Sequence, residues 1–484
     1  MTSPSLPAVD AAEPSLPASE AARAAAIAAL RSLDGVIVAG DRGYDEARLA
    51  WNLAADQRPL AVAEPTTLAE IQRVVRAAVA AGIRVAPQST GHNALPLVQA
   101  GLDDALLLRL HRLREVRIDA DRPTALVSAG SLWRDAVEAA APHGLTALHG
   151  SAGDVGAVGY TLGGGLSFYG RRYGLAAHHV RAFEVVTASG DVVRSTPFEH
   201  AGLFWALRGG GGGLGIVVSM EIELLPLSDV QAGFLLWDIS AAPAVLPAWR
   251  AWTTGLDRAA TTSLRMLRFP PLPELPPFLS GRSLIVVDGA VLADDERTAE
   301  LLAPLRALRP EMDTFARIPA SAVLDVHMDP PAPSAGVSEH GMMRALDDET
   351  VETLLAIAGP GAADAPSIVE LRHLGGALSD PIDAALPRLD GEYALLALEM
   401  VPVPEVAEVA SARVRATVDA VRDRLDGAPY LNFIEDEAEL SAVLGREGTE
   451  RLRRVRALYD PMHLWVAAHR MPESVVAAGL DGRP

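Results

Sequence analysis

The sequence predicts an α+β fold of two or three domains, and three observations carry that prediction. The length of 484 residues exceeds what one core serves at about 100–200 residues per domain. Hydrophobic residues make up 49% of the chain, enough for sizeable cores and too many for a disordered polymer. Strand-like runs such as Ile368–His373 and Tyr393–Met400 interchange with helical runs over 296–308 and 406–425. That is the pattern of helices laid on one face of a sheet.

Residues 1–18 are rich in Pro, Ser and Ala and read as a disordered leader, followed by helical spacing over 19–33. Thr67-Leu68-Ala69-Glu70 is a capping box opening a helix with apolar Leu68, Ile71, Val74, Val75 and Val79, which Gly82 stops. A short strand over 83–86 leads into the polar loop 87–93. Further strands are expected over 105–108 and 125–128, then a helix capped by Ser131 and ended by Gly144. Runs at 182–188 and 191–194 flank Ser189-Gly190 as a hairpin. Residues 216–225 alternate as a strand, and Pro226 marks a boundary. The proline-rich stretch 269–278 is a loop.

Composition excludes several kinds of chemistry. All 42 basic residues are arginine, against 62 acidic ones, for a net charge of −20. Without lysine there is no Walker-A loop, Schiff-base nucleophile or pyridoxal anchor. Without cysteine there is no iron–sulfur cluster, thiolate zinc site or disulfide. No H-E-x-x-H metal motif occurs, so no metal is expected. The negative charge repels phosphate backbones, so nucleic acid is not an expected partner. No apolar run approaches the roughly 20 residues of a membrane span, and no basic-then-apolar signal segment opens the chain. The expectation is a cytoplasmic protein without membrane or nucleic-acid partners.

Four blocks stand out. The first is Pro87-Gln88-Ser89-Thr90-Gly91-His92-Asn93, where successive amides beside small side chains suit a pyrophosphate; a turn with an exposed histidine is the plain alternative. The second runs from Gly156 through Gly159 and Leu162 to Gly163-Gly164-Gly165 and lets backbone approach a ligand closely. It is not the dinucleotide fingerprint, because no strand–helix unit with a downstream acidic residue surrounds it. The third is Leu203-Phe204-Trp205 leading to the glycine run 209–213, then Gly215, Ile216 and Val217; its aromatic pair reads best as core. The fourth is Tyr430-Leu431-Asn432-Phe433 with Tyr459-Asp460-Pro461, which alone says strand, helix and stop.

In this order and spacing, the four blocks resemble the flavoproteins of the vanillyl-alcohol-oxidase superfamily, and its berberine-bridge-enzyme-like branch most closely. The resemblance covers about residues 40–228 and 426–470. It implies a two-part FAD-binding domain of the PCMH type, built from 35–228 and the C-terminal segment 426–484. A central substrate-binding domain, 229–425, would carry an antiparallel sheet covered by helices, with 1–34 as leader and first helix. It implies FAD joined through its 8α-methyl group to one histidine, matching His92. Gln88, Ser89, Thr90, Gly91, Asn93, Val155, Gly156, Gly159, Leu162, Gly163, Gly164, Gly165, Gly215, Ile216, Val217 and Asn432 are the further cofactor contacts carried over. Many members attach the flavin again through a cysteine; that place is Ala152 here, so a single link is expected. Val155 matches the position over the flavin face that oxygen approaches, where a small residue goes with oxidase behaviour.

The resemblance implies hydride removal from a C–H beside oxygen or nitrogen of a small molecule, with molecular oxygen as acceptor. The usual tyrosine base after the tail asparagine is replaced by Phe433. Tyr430, Glu370, His373, Tyr160 and Tyr393 are the remaining candidates to take a proton, and strand alternation puts Glu370 and Arg372 on one face with His373 on the other. The alternatives are a dehydrogenase using another acceptor, a non-redox flavin-binding protein, and a serine hydrolase. The last rests on His149-Gly150-Ser151-Ala152-Gly153, which fails the G-x-S-x-G pattern at its first position.

Overall fold

The structure, a computed structural model, describes residues 20–472; the expected leader lies outside them. The first helix, Glu20–Arg31, leads into a four-stranded sheet ordered Val36–Val38, Ala61–Ala63, Ala105–Arg109, Arg84–Gln88. Helix Leu68–Ala80 covers it. The Thr67 hydroxyl accepts the Glu70 N–H at 3.2 Å while the Glu70 carboxylate accepts the Thr67 N–H at 3.3 Å, completing the capping box. Ile71, Val74, Val75 and Ala78, spaced at helical period, are buried against the sheet, and burying each large aliphatic contributes about 1.5–3 kcal/mol. The C-terminal tail joins the same sheet. Val85 N–H donates to Leu464 O and Val466 N–H donates to Val85 O, so the tail runs parallel beside Arg84–Gln88.

A second, five-stranded sheet is ordered Val116–Asp119, Thr124–Ser128, Ile216–Glu223, Val180–Val186, Val192–Ser195, with every pairing antiparallel. The last two strands are the hairpin expected around Ser189-Gly190, and Gly190 takes the left-handed backbone (φ 75°) the turn requires. Phe204 and Trp205 are buried in the core of this lobe, as the sequence reading had it.

The central segment forms an eight-stranded antiparallel sheet. Its main path is Met312–Asp313, Asp229–Asp238, Ser283–Val291, Ala260–Arg268, Ile368–His373, Tyr393–Met400, Gly336–Met343; Ala316–Pro319 also pairs with Asp229–Asp238. Helices Ala242–Thr253, Asp348–Ala358 and Ala407–Asp419 pack their buried residues on one face with Val369 and Leu371. The other face is polar: Arg265 stands opposite Glu370 in register, with Ser263, Asp288 and Arg372 beside them.

Two local expectations are corrected. Ser131 does not cap the next helix: its hydroxyl donates to Glu115 O, and helix Trp133–Ala140 begins two residues later, with Asp135 accepting the Leu132 N–H at 2.9 Å. The tail segment at 430 is not a strand but a 3-10 turn, Leu431–Phe433, because Tyr430 turns inward and is buried in the core.

Candidate active site

A cavity of about 540 Å³ is lined by residues from all four sequence blocks and by the polar face of the central sheet, a volume ordinary for a cofactor or small-molecule site. The first block enters as the loop between strand Arg84–Gln88 and helix Leu95–Gln99. The second enters through the short helix Ala157–Leu162, the third through Gly211–Gly213, Gly215 and Val217, and the fourth through the turn at Leu431–Phe433. Gln88, Ser89, Thr90, Gly91, His92, Asn93, Val155, Gly156, Gly159, Leu162, Gly163, Gly215, Val217 and Asn432 all reach the wall. Gly164, Gly165 and Ile216 are not among the lining residues. Cβ atoms at the first two would press on Leu386 and Tyr430, and on Ala176 and Tyr160, while Ile216 is core.

His92 lies flat on Trp51, with ring centroids 4.1 Å apart and planes 17° apart. Its Nδ1 is 2.8 Å from Thr90 Oγ1, and its Nε2 is 3.5 Å from Asp154 Oδ1. The Trp51 indole N–H donates to the other Asp154 oxygen at 2.6 Å. Partial burial pushes the Asp154 carboxyl up, but His92 and the Trp51 N–H outweigh it and hold the group below its ordinary value. Trp51 and Asp154 were not singled out in the sequence, where neither sits in a motif.

The wall carries buried polar atoms with no hydrogen-bond partner: Ser89 Oγ, Asn93 Oδ1, Asn432 Oδ1 and, beyond the long contact to Asp154, His92 Nε2. Asn93 and Asn432 spend their N–H groups on Ile434 O (2.9 Å) and Tyr160 O (3.0 Å), leaving both carbonyl oxygens free. Unmatched buried acceptors are costly unless a ligand meets them. A Cβ at Gly159 or Gly212 would find nothing within 4 Å, whereas one at Gly163 would stand 2.1 Å from Asn432 Oδ1. Glycine thus keeps space open at the first two positions and permits contact between distant blocks at the third. A long polar cofactor with an adenine dinucleotide's many donors and acceptors fits this wall.

Of the five candidate proton acceptors, Tyr160 lines the cavity. Its hydroxyl donates to Leu166 O, and burial pushes its pKa well up. Glu370, His373, Tyr393 and Tyr430 do not line it. Glu370 is buried against Arg372 (2.8 Å); Tyr393 shares a hydrogen with Thr253 (2.7 Å). His373 lies on the helix-covered side beside Trp249 and Tyr393, and Tyr430 is core, with its hydroxyl raised by burial.

The cavity instead presents Asp329 and Glu435, neither flagged from sequence. Asp329 accepts the Ser151 hydroxyl at 2.7 Å and stands 3.8 Å from His327 Nε2. Behind it, Asp288 binds Arg265 (2.7 Å) and His327 Nδ1 (2.8 Å), and His327 Nε2 lies 3.6 Å from Glu370. Burial raises the Asp288 carboxyl, but Arg265 and His327 overcome it and hold the group well below the carboxylate range. Burial works against the Arg372 charge, and Glu370 and Asp329 outweigh it; the guanidinium stays charged, 5.1 Å from the Phe433 ring centre. Glu435 accepts the Ser338 N–H at 2.6 Å and is pushed up to about 7 by burial. Ser151 has no histidine partner: His149 is buried, its Nδ1 against Gly150 O, so the arrangement lacks a hydrolase's nucleophile–base pair.

Residues 59–196 match the FAD binding domain family. The chain is 34% identical over 223 residues to (R)-6-hydroxynicotine oxidase of Paenarthrobacter nicotinovorans, covering 46% of this chain and 47% of that protein. It spans about half the length of the curated relatives it matches. Among solved structures, a BBE-like protein of Physcomitrella patens superposes with a TM-score of 0.79 at 20% identity, covering 94% of this chain and 99% of that one. Glucooligosaccharide oxidase of Acremonium strictum, described with a 6-S-cysteinyl, 8α-N1-histidyl FAD, superposes with a TM-score of 0.77 at 20% identity, covering 94% and 99%. The four motifs meet in a chain that carries an FAD binding domain over residues 59–196 and shares its fold with this BBE-like protein and glucooligosaccharide oxidase.

Proposed function

We propose that the chain is an FAD-dependent oxidase carrying its flavin on His92. It removes hydride from a C–H bond beside oxygen or nitrogen of a small molecule: an alcohol, a sugar, an amine or a secondary-metabolite intermediate. The observation that carries this reading is the cavity itself, which gathers four distant sequence blocks around buried hydrogen-bonding atoms that have no protein partner. The oxidase names among its relatives, and the histidyl flavin described for glucooligosaccharide oxidase, support the same reading. When bound, FAD supplies the hydride acceptor and returns the electron pair to molecular oxygen as hydrogen peroxide.

The chain's own groups do the rest. Ser89, Asn93 and Asn432 offer oxygen atoms to the cofactor, and the open space at Gly159 and Gly212 lets it lie close. Phe433 cannot take a proton, so the substrate's proton falls to Asp329, a cavity carboxylate oriented by Ser151. Arg372 and Phe433 wall the same region and orient the substrate. Val155, shorter than leucine, leaves room for oxygen.

The test is a panel of alcohols, sugars and amines added without air. A substrate bleaches the yellow flavin, and air restores the colour within seconds while peroxide appears. Recovery over many minutes would instead indicate a dehydrogenase, and no bleaching with any class would contradict redox function.

A further inference from the structure

We propose that Asp154 is the positioning residue that drives attachment of the flavin to His92, by holding one imidazole nitrogen as the proton donor and freeing the other as the nucleophile. The inference rests on the reading that FAD is joined to His92.

Three contacts motivate it. Trp51 fixes the imidazole plane by stacking at 4.1 Å and, through its N–H at 2.6 Å, also fixes the Asp154 carboxylate. That leaves the other Asp154 oxygen 3.5 Å from His92 Nε2, a separation of the kind that tightens once the reacting partner is in place. His92 Nδ1 meets only the Thr90 hydroxyl, at 2.8 Å, and a hydroxyl can donate to a lone pair. A carboxylate beside Nε2 selects the tautomer with the proton on Nε2 and the lone pair on Nδ1. Orienting a histidine through its second nitrogen is the general way a protein makes the first more basic.

The chemistry balances. Nδ1 forms a bond to the 8α-carbon of the flavin, and one C–H bond of that methyl group breaks. Its proton leaves to solvent, and the Nε2 proton passes to Asp154. The electron pair of the broken bond stays with the ring system until molecular oxygen takes it, with the two protons, as hydrogen peroxide. The groups facing Asp154 are His92, the Trp51 N–H and Arg134; the last is itself paired with Asp325 at 2.9 Å and Glu138 at 4.0 Å.

The experiment compares the full-length protein with Asp154→Asn, Asp154→Glu, Trp51→Phe and His92→Ala, each purified as expressed and then incubated with FAD in air. The readout is flavin fluorescence remaining on the polypeptide after acid denaturation, followed over time between pH 6 and 9. Wild type attaches FAD fully, and His92→Ala holds it only in extractable form. Asp154→Asn binds FAD but attaches it about 100-fold more slowly, the usual weight of a proton acceptor. Its residual rate climbs with pH as hydroxide takes over the Nε2 proton. Asp154→Glu recovers part of the rate. Trp51→Phe keeps the stack, loses the N–H that anchors Asp154, and slows attachment to a lesser degree, which keeps the test decisive should Asp154→Asn fold poorly. Attachment at the wild-type rate and pH dependence in both Asp154→Asn and Trp51→Phe would overturn the role of Asp154. Wild type with no acid-stable flavin would instead overturn the reading of His92 on which it rests.

Discussion

Asp288 shows how the polar face of the central sheet is maintained. It is fully buried, paired with Arg265 at 2.7 Å and hydrogen-bonded to His327 Nδ1 at 2.8 Å. Removing one partner of a buried pair strands the other charge, so Asp288→Asn is expected to cost about 3–5 kcal/mol, read in urea melts. Asp329 draws on the same cluster from the cavity side. Asp329→Asn should bind flavin normally yet slow anaerobic flavin reduction by roughly 100-fold, with the loss in kcat rather than KM; an unchanged rate would move the proton to another group. Gly163 is a packing residue. A Cβ there would stand 2.1 Å from Asn432 Oδ1, so Gly163→Ala should cost about 1–3 kcal/mol and lower flavin content, because Asn432 must move.

Between elements, the tail is tied in from two sides. His340, on strand Gly336–Met343, accepts the Tyr430 N–H at 3.2 Å, and Trp465 is buried beside Arg84–Gln88. Trp465→Ala should therefore cost about 3–5 kcal/mol by the usual loss of a buried aromatic, with flavin released earlier in a thermal melt than in wild type. These attachments also explain what could be read in advance. Thr67 and Glu70 make their own cap, and Ser189-Gly190 makes its own turn, so both were legible from neighbours in sequence. Ile368–His373 alternates cleanly, so its two faces were legible too. Helix Ala242–Thr253 was not, because Pro247 interrupts its pattern, and strand Gly336–Met343 hides behind two glycines and a mixed face. At the site, His92 and the glycine blocks are local signatures. Asp329, Glu435 and the Trp51–Asp154–His92 contact exist only after distant segments meet, and no spacing along the chain announces them.

The protein as a whole carries a titration signature of its buried groups. Burial holds His149, His178 and His340 at about 4 and His373 at about 3. The unfolded chain, with imidazoles near the ordinary 6.5, therefore binds more protons below that pH, and stability falls as pH drops from about 6.5 to about 4. Glu435 and Asp460 act the other way. Burial pushes both up to about 7, so the folded chain keeps protons that the unfolded chain loses, and their contribution falls as pH rises from about 4 to 7. Burial also lowers His111 and His469 and raises Glu339, so the histidines outnumber the carboxyls and Tm should rise from pH 4.5 to 6.5. Glu435→Gln, which removes one opposing group, should steepen that rise and raise Tm at pH 8. Two sheets, a central sheet and a returning tail converge on one cavity, where a flavin bonded to His92 is expected. The most direct measurement is to denature the purified yellow protein in acid and separate polypeptide from supernatant. Flavin that stays on the polypeptide in wild type, and moves wholly to the supernatant in His92→Ala, is the expected result; wild-type flavin released entirely into the supernatant would contradict it.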